Sequence, residues 1–204
     1  MEKREWIDRV FGGSASCSVE RLEELDEFCG RDAETLIRLA EVFENSATVL
    51  APYGEDSVNQ AFWNLSVGAL LAVEDDSIPW ALRQRVIDSC VPLFHDFFAI
   101  RCQPVLGHLS EEGSPLNSSC YMWWDFDCWR FHAPPAALID PIRSVLAIDH
   151  LACQESALHG LGHLYRRGQA TVAIEIIDEF LRHHSNLRVE LVEYARKARA
   201  GRVL

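Results

Sequence analysis

No stretch of this 204-residue chain is long and apolar enough to span a bilayer. The nearest candidate, Phe62 to Val73, is interrupted by Asn64, Ser66 and Gly68. The opening MEKREWIDRV is charged and amphipathic and lacks the apolar segment of a signal peptide. These absences predict a cytoplasmic protein with no membrane partner. The seven cysteines contain no CxxC pair, which argues against a zinc ribbon or a thioredoxin-like site. An odd number of thiols without an export signal predicts reduced, buried cysteines rather than a disulfide framework.

Positive charge is also scarce. Nineteen Lys and Arg face 31 Asp and Glu, for a net charge of −12. Residues 1–60 carry 14 acids against 6 bases and residues 61–140 carry 10 against 4, whereas residues 141–204 carry 7 against 9. That balance disfavours nucleic-acid binding; a basic protein is one partner the acidic part would suit, although a solvated acidic surface is the commoner meaning of such a charge run. There is no GxSxG, no P-loop and no dinucleotide fingerprint. No linker rich in Ser, Pro or Gly divides the chain, which predicts one domain over 1–204.

What is present is helical periodicity. A hydrophobic fraction of 49% is enough for a core. Trp6, Ile7 and Val10 share one helical side, and Val19, Leu22, Leu25, Phe28 and Cys29 form a second stripe. Asp32 is placed to cap a helix carrying Leu36, Ile37, Ala40 and Phe43. Ser57 with Gln60 spells a capping box that opens an apolar helix toward Val73. Pro79 starts another helix, which Pro92 should kink or divide. Residues 103–118 read as a loop. Asp140–Pro141 reads as an N-cap followed by a first-turn proline, and Asn186 as the cap of the last helix. No segment alternates with period two, so the class is all-α.

The stretch Cys153 to Gly168 has the clearest pattern. Ala157, Leu158, Leu161, Leu164 and Tyr165 fall on one side of a helix, and Glu155, His159, His163 and Arg166 on the other. Ser156 and Gly160 are small enough to admit a neighbouring helix, and Gly168 is the expected stop. His159 and His163, one turn apart, form a pair able to hold a metal, with Glu155 a turn earlier. A further ligand must come from elsewhere, with His132, His150 and Asp125 as candidates that no spacing places nearby. The alternative is that the row hydrogen-bonds across to a neighbouring helix or faces water. Gln60 and Asn64 make a similar polar row on the earlier apolar helix, and two such rows could line a shared groove.

Cys120 to Phe131, CYMWWDFDCWRF, holds three tryptophans in 12 residues. Trp123 and Trp124 beside Asp125 would serve a recognition patch, as tryptophan does in binding hot spots. Such aromatic density is more often core.

The passage SALHGLGHLYRRGQATVAIEIIDEFL resembles a HEAT-like repeat, an alanine–leucine helix, a short turn and a second aliphatic helix. CYMWWD and ACQESALHGLGHL are similar to segments of a group of uncharacterised bacterial helical proteins. The resemblance implies stacked helical hairpins, HEAT-like or an α-α superhelix, and brings no activity with it. The leading expectation is a non-catalytic helical scaffold, without a cofactor or metal, that recognises a protein partner through a groove or face. An acidic inhibitor of a basic toxin is one form of it. The alternative is a metal-dependent hydrolase using Glu155, His159 and His163, and a third reading is a small-molecule sensor with an aromatic-lined pocket.

Overall fold

One helix is wrapped on every side. In the computed structural model, which describes residues 3–13, 23–24, 27–184 and 186–203, every residue from Ala152 to Leu164 is buried. The chain folds around it without a strand among the described residues. The helices used below are α1 (Lys3–Phe11), α2 (Ala33–Glu44), α3 (Glu55–Val67), α4 (Trp80–Leu93), α5 (Leu116–Met122), α6 (Ile139–Leu146), α7 (Leu151–Leu164), α8 (Ala170–His183) and α9 (Val189–Arg199). No described helix is long and apolar enough to cross a membrane. The stripe Val19 to Cys29 lies largely outside the described residues.

Helix α7 packs against α5, α6, α8 and α9 and against a 3₁₀ turn at Trp123–Asp125. Its glycines permit this. A Cβ on Gly160 would stand 2.8 Å from Cβ of Trp124, and one on Gly162 would stand 2.6 Å from Val203. Small residues on two faces let both neighbours close, so the helix has no solvent side. Glu155, His159 and His163 are 1%, 0% and 5% exposed. The expectation that this row might face water is therefore corrected: the apolar stripe marks only one of several buried faces.

A second layer holds the aromatic core. Trp123 packs against Phe43 of α2, Phe62 of α3, and Phe94 and Phe98 beyond α4, with ring centroids 5.3–6.2 Å apart. Its indole N–H points at Cys90 Sγ, 3.4 Å away. Trp124 stacks on Phe94 at an interplanar angle of 10°. Both tryptophans are buried, at 0% and 1% exposure, so neither reaches a partner's surface as a recognition patch would require.

Several helix ends differ from the sequence reading. Asp32 does cap α2, accepting from the Thr35 N–H at 2.8 Å. Ser57 does not cap α3, which starts two residues earlier behind Gly54; its hydroxyl instead donates to the carbonyls of Phe11 and Gly13. The helix ends at Gly68 and continues as a 3₁₀ turn over Ala69–Glu74. Pro92 lies inside α4, removing the bond to the Asp88 carbonyl, and the helix passes at Phe94–Phe98 into a π turn. Helix α6 starts at Ile139, so Asp140 lies inside its first turn, and α9 is preceded by Arg188 rather than Asn186. Gly168, at φ +87°, separates α7 from α8 within a single kinked connection.

Candidate metal centre

The WWD turn and α7 meet at Asp125. Trp123 and Trp124, locked in the aromatic core, fix the turn between them and α7, and this aims the next side chain at the helix. Asp125 Oδ1 lies 2.9 Å from His163 Nε2, and Oδ2 lies 3.9 Å from His159 Nε2. The two imidazole Nε2 atoms are 3.0 Å apart. Four residues of helix separate the histidines, which stacks their rings one turn apart on the same face. One donor atom from each of the three side chains falls within 4.8 Å of the others. Among the described residues this is the single such group of His, Cys, Asp or Glu.

Each member is oriented from behind. His159 Nδ1 is 2.6 Å from the Tyr194 hydroxyl, which in turn lies 3.2 Å from the Tyr121 hydroxyl. With Nδ1 donating to Tyr194, Nε2 presents a lone pair to Asp125 and His163. Arg130 Nη1 reaches Asp125 Oδ1 at 2.9 Å. That oxygen is within ion-pair distance of a guanidinium and an imidazole, yet it is buried and makes no aligned hydrogen bond. Buried oxygens are seldom left this way. Burial pushes the His159 pKa down, against the pull of Asp125, and so keeps the ring neutral. Burial would raise the Asp125 pKa, but the nearby imidazoles of His159 and His163 outweigh it and hold the carboxyl well below its usual range. A neutral imidazole at His159 beside a charged carboxylate is an ionisation state that suits a transition metal.

Glu155 does something else. Its carboxylate accepts the N–H groups of Gly107 at 2.7 Å and His108 at 3.0 Å, and the His108 ring Nδ1 stands 2.5 Å away. Burial raises its pKa while these contacts lower it, and burial prevails. The residue anchors the 103–115 loop to α7 and takes no place in the group around Asp125. His108, so held, stacks on Tyr194 with centroids 4.3 Å apart.

The remaining expected residues are dispersed. Gln60 Nε2 donates to Asn64 Oδ1 at 2.9 Å, so that row bonds to itself. Asn64 borders a small cavity with Val10, Cys29 and Gly68, separate from the histidines. His132 pairs with Glu74, and His150 Nε2 reaches the Cys102 carbonyl at 3.2 Å. The sequence did not point to Tyr194, Tyr121, His108 or Arg130. Tyr194 lies in an apolar stripe, and the others sit in turns or short helices whose approach to α7 has no periodic signal.

No protein-family model, curated protein or solved structure matches this chain. The reading of the centre therefore rests on its geometry.

Proposed function

We propose that the protein binds one divalent transition-metal ion through His159 Nε2, His163 Nε2 and a carboxylate oxygen of Asp125, and that it works as a metal-dependent hydrolase. The convergence of these three donors from two elements carries the reading. Ligands at about 2.0–2.1 Å around a tetrahedral ion would stand about 3.3 Å apart. The separations of 3.0 Å and 2.9 Å are within a few tenths of that, and the third, His159 Nε2 to Asp125 Oδ2, is wider at 3.9 Å.

Two imidazoles and one carboxylate leave a coordination position for an outside ligand, the pattern of catalytic rather than structural zinc. An ion so held supplies Lewis acidity and an activated water. The chain's own residues have simpler duties. Tyr194 holds the His159 tautomer, and Arg130 partly balances the charge of Asp125. Glu155, the third ligand expected from the sequence, is engaged by backbone N–H groups and is assigned to positioning the loop.

The protein-partner reading has less to draw on. Val67, Trp80, Ile100, Leu109, Phe131 and Val189 are large, apolar and exposed, but they lie on different elements.

Titration with Co²⁺, followed by visible absorption and by metal analysis after desalting, tests the centre. One ion per chain is expected, lost in His159→Gln, His163→Gln and Asp125→Asn and retained in Glu155→Gln, with circular dichroism confirming the helical fold of each. Substoichiometric metal in the unaltered protein would overturn the centre. Metal bound without turnover of activated carboxylic or phosphoric esters would overturn the hydrolase.

A further inference from the structure

Beyond the metal centre, the end of α9 builds a second feature. Gly201, at φ +64°, reverses the chain there. The Gly201 N–H bonds to the Ala198 carbonyl at 2.8 Å and the Arg202 N–H to the Lys197 carbonyl at 2.9 Å. This pair of bonds is a Schellman stop, and it returns residue 202 beside residue 197. Gly201 is also required by space, since a Cβ there would stand 2.5 Å from the Tyr165 ring. Two cations that are five residues apart in sequence are thereby brought to the rim of one pocket.

That pocket has a volume of about 400 Å³ and is lined by His108, Tyr121, Tyr194, Lys197 and Arg202. The volume falls within the range of small-molecule sites, and the lining pairs aromatic walls with convergent polar groups. Most arginines of this acidic chain are engaged: Arg85 with Glu44, Arg101 with Glu55, Arg188 with Glu111 and Arg199 with Asp178, for example. Lys197 and Arg202 are exposed and have no ion-pair partner among the described residues. The rest of the lining is aromatic: the Tyr121 ring, half-buried, and the His108 ring stacked on Tyr194.

We propose that this pocket binds a small aromatic anion, its carboxylate or phosphate between Lys197 and Arg202 and its ring against Tyr121 and His108. Two unpaired cations select the charge, since an anion there gains attraction from both. The aromatic walls select a flat, apolar body over a bare inorganic ion. The pocket adjoins the metal centre through the Tyr194 hydroxyl and through the Tyr121 ring, whose centroid lies 4.8 Å from that of His159; the two cations that would hold the anion are not among the metal donors.

Calorimetric titration in the presence of a chelator tests the site with benzoate and phenyl phosphate as probes, inorganic phosphate as the ringless control and benzyl alcohol as the uncharged one. Saturable 1:1 binding of at least one aromatic anion is expected, with both controls weaker by about tenfold or more. The Lys197→Met/Arg202→Met protein, altered only at exposed positions, should lose about tenfold in affinity, and added salt should weaken the unaltered protein. The preferred probe identifies the acid group. Three results would each overturn the proposal: no saturable binding of either aromatic anion, unchanged affinity in the double variant, or inorganic phosphate binding as tightly as phenyl phosphate. The last would leave a simple anion site.

Discussion

The Nε2 atoms of His159 and His163 face each other at 3.0 Å, so at most one of them carries a hydrogen. Without a metal, a proton on one of the two nitrogens satisfies this contact, with Asp125 Oδ1 2.9 Å from His163 Nε2. A bound metal ion would take the place of that proton. The same three side chains thus hold together in either state, and their supporting groups can be tested separately.

Arg130 neutralises Asp125 but also repels a dication at the same carboxylate. Its side chain is 37% exposed, so Arg130→Met should leave the fold intact. Stability without metal should fall by about 1 kcal/mol or less. Co²⁺ affinity should rise by roughly threefold to tenfold, since a like charge is removed from a partly buried site. Paired denaturation and metal titration check both signs. A fall in affinity would mean that Arg130 serves mainly to position the carboxylate.

Tyr194→Phe removes the hydroxyl that faces His159 Nδ1 in a buried setting. Leaving that nitrogen unpartnered should cost about 1–3 kcal/mol. Metal affinity should drop about tenfold as the ring loses its fixed tautomer. Tyr121→Phe should cost less, because Tyr121 is only half-buried and its hydroxyl bonds to Tyr194 rather than to a ligand. Equal effects of the two changes in urea melts would contradict this order.

Much of this was legible and some could not be. The stripes of α2, α7 and α8 follow from spacing alone, because a helix repeats its core residues every three or four positions. The Gly168 stop was equally readable, since only its left-handed backbone suits the turn. The burial of His159 was not. It depends on Trp124 packing into the gap at Gly160 and on Val203 closing over Gly162, contacts made across 36 and 41 residues of sequence. Asp125 stood among the candidates, but its approach to α7 is set by two tryptophans anchored in a core built from other helices. Tertiary placement of short turns leaves no periodic trace.

Gly160→Ala tests that placement directly. Alanine favours the helix over glycine by about 1 kcal/mol. Against this, its methyl would meet Trp124 Cβ at 2.8 Å and Ile142 Cδ1 at 3.0 Å. Such crowding costs about 1–3 kcal/mol in a packed core. A net loss of stability is expected, with weaker metal binding as the Trp123–Asp125 turn is pushed from α7. Urea denaturation and Co²⁺ titration measure the two, and a more stable variant would contradict the packing.

The loop that holds Glu155 has its own pH dependence. Arg188, and after it the Leu106 N–H, hold the Glu111 carboxyl below its ordinary value of 4.5. A carboxylate with a lowered folded pKa stabilises the protein fully above its unfolded value, and that contribution is lost as pH falls through the folded one. The stability advantage of the unaltered protein over Glu111→Gln should therefore be constant from pH 7 to about 5 and shrink below 4.5. Thermal melts across that range would show it. An advantage that grows on acidification would reverse the assigned sign.

Because residues 152–164 of α7 are buried on every side, local fluctuations should expose few of its backbone amides to water. Their deuterium uptake should track global unfolding, while α1 and the 103–115 loop exchange through smaller fluctuations. The imidazoles would then sit on the slowest-exchanging of the described helices. A ligand captured there would not need to order its site, and its binding free energy would appear almost wholly as protection of the entire domain.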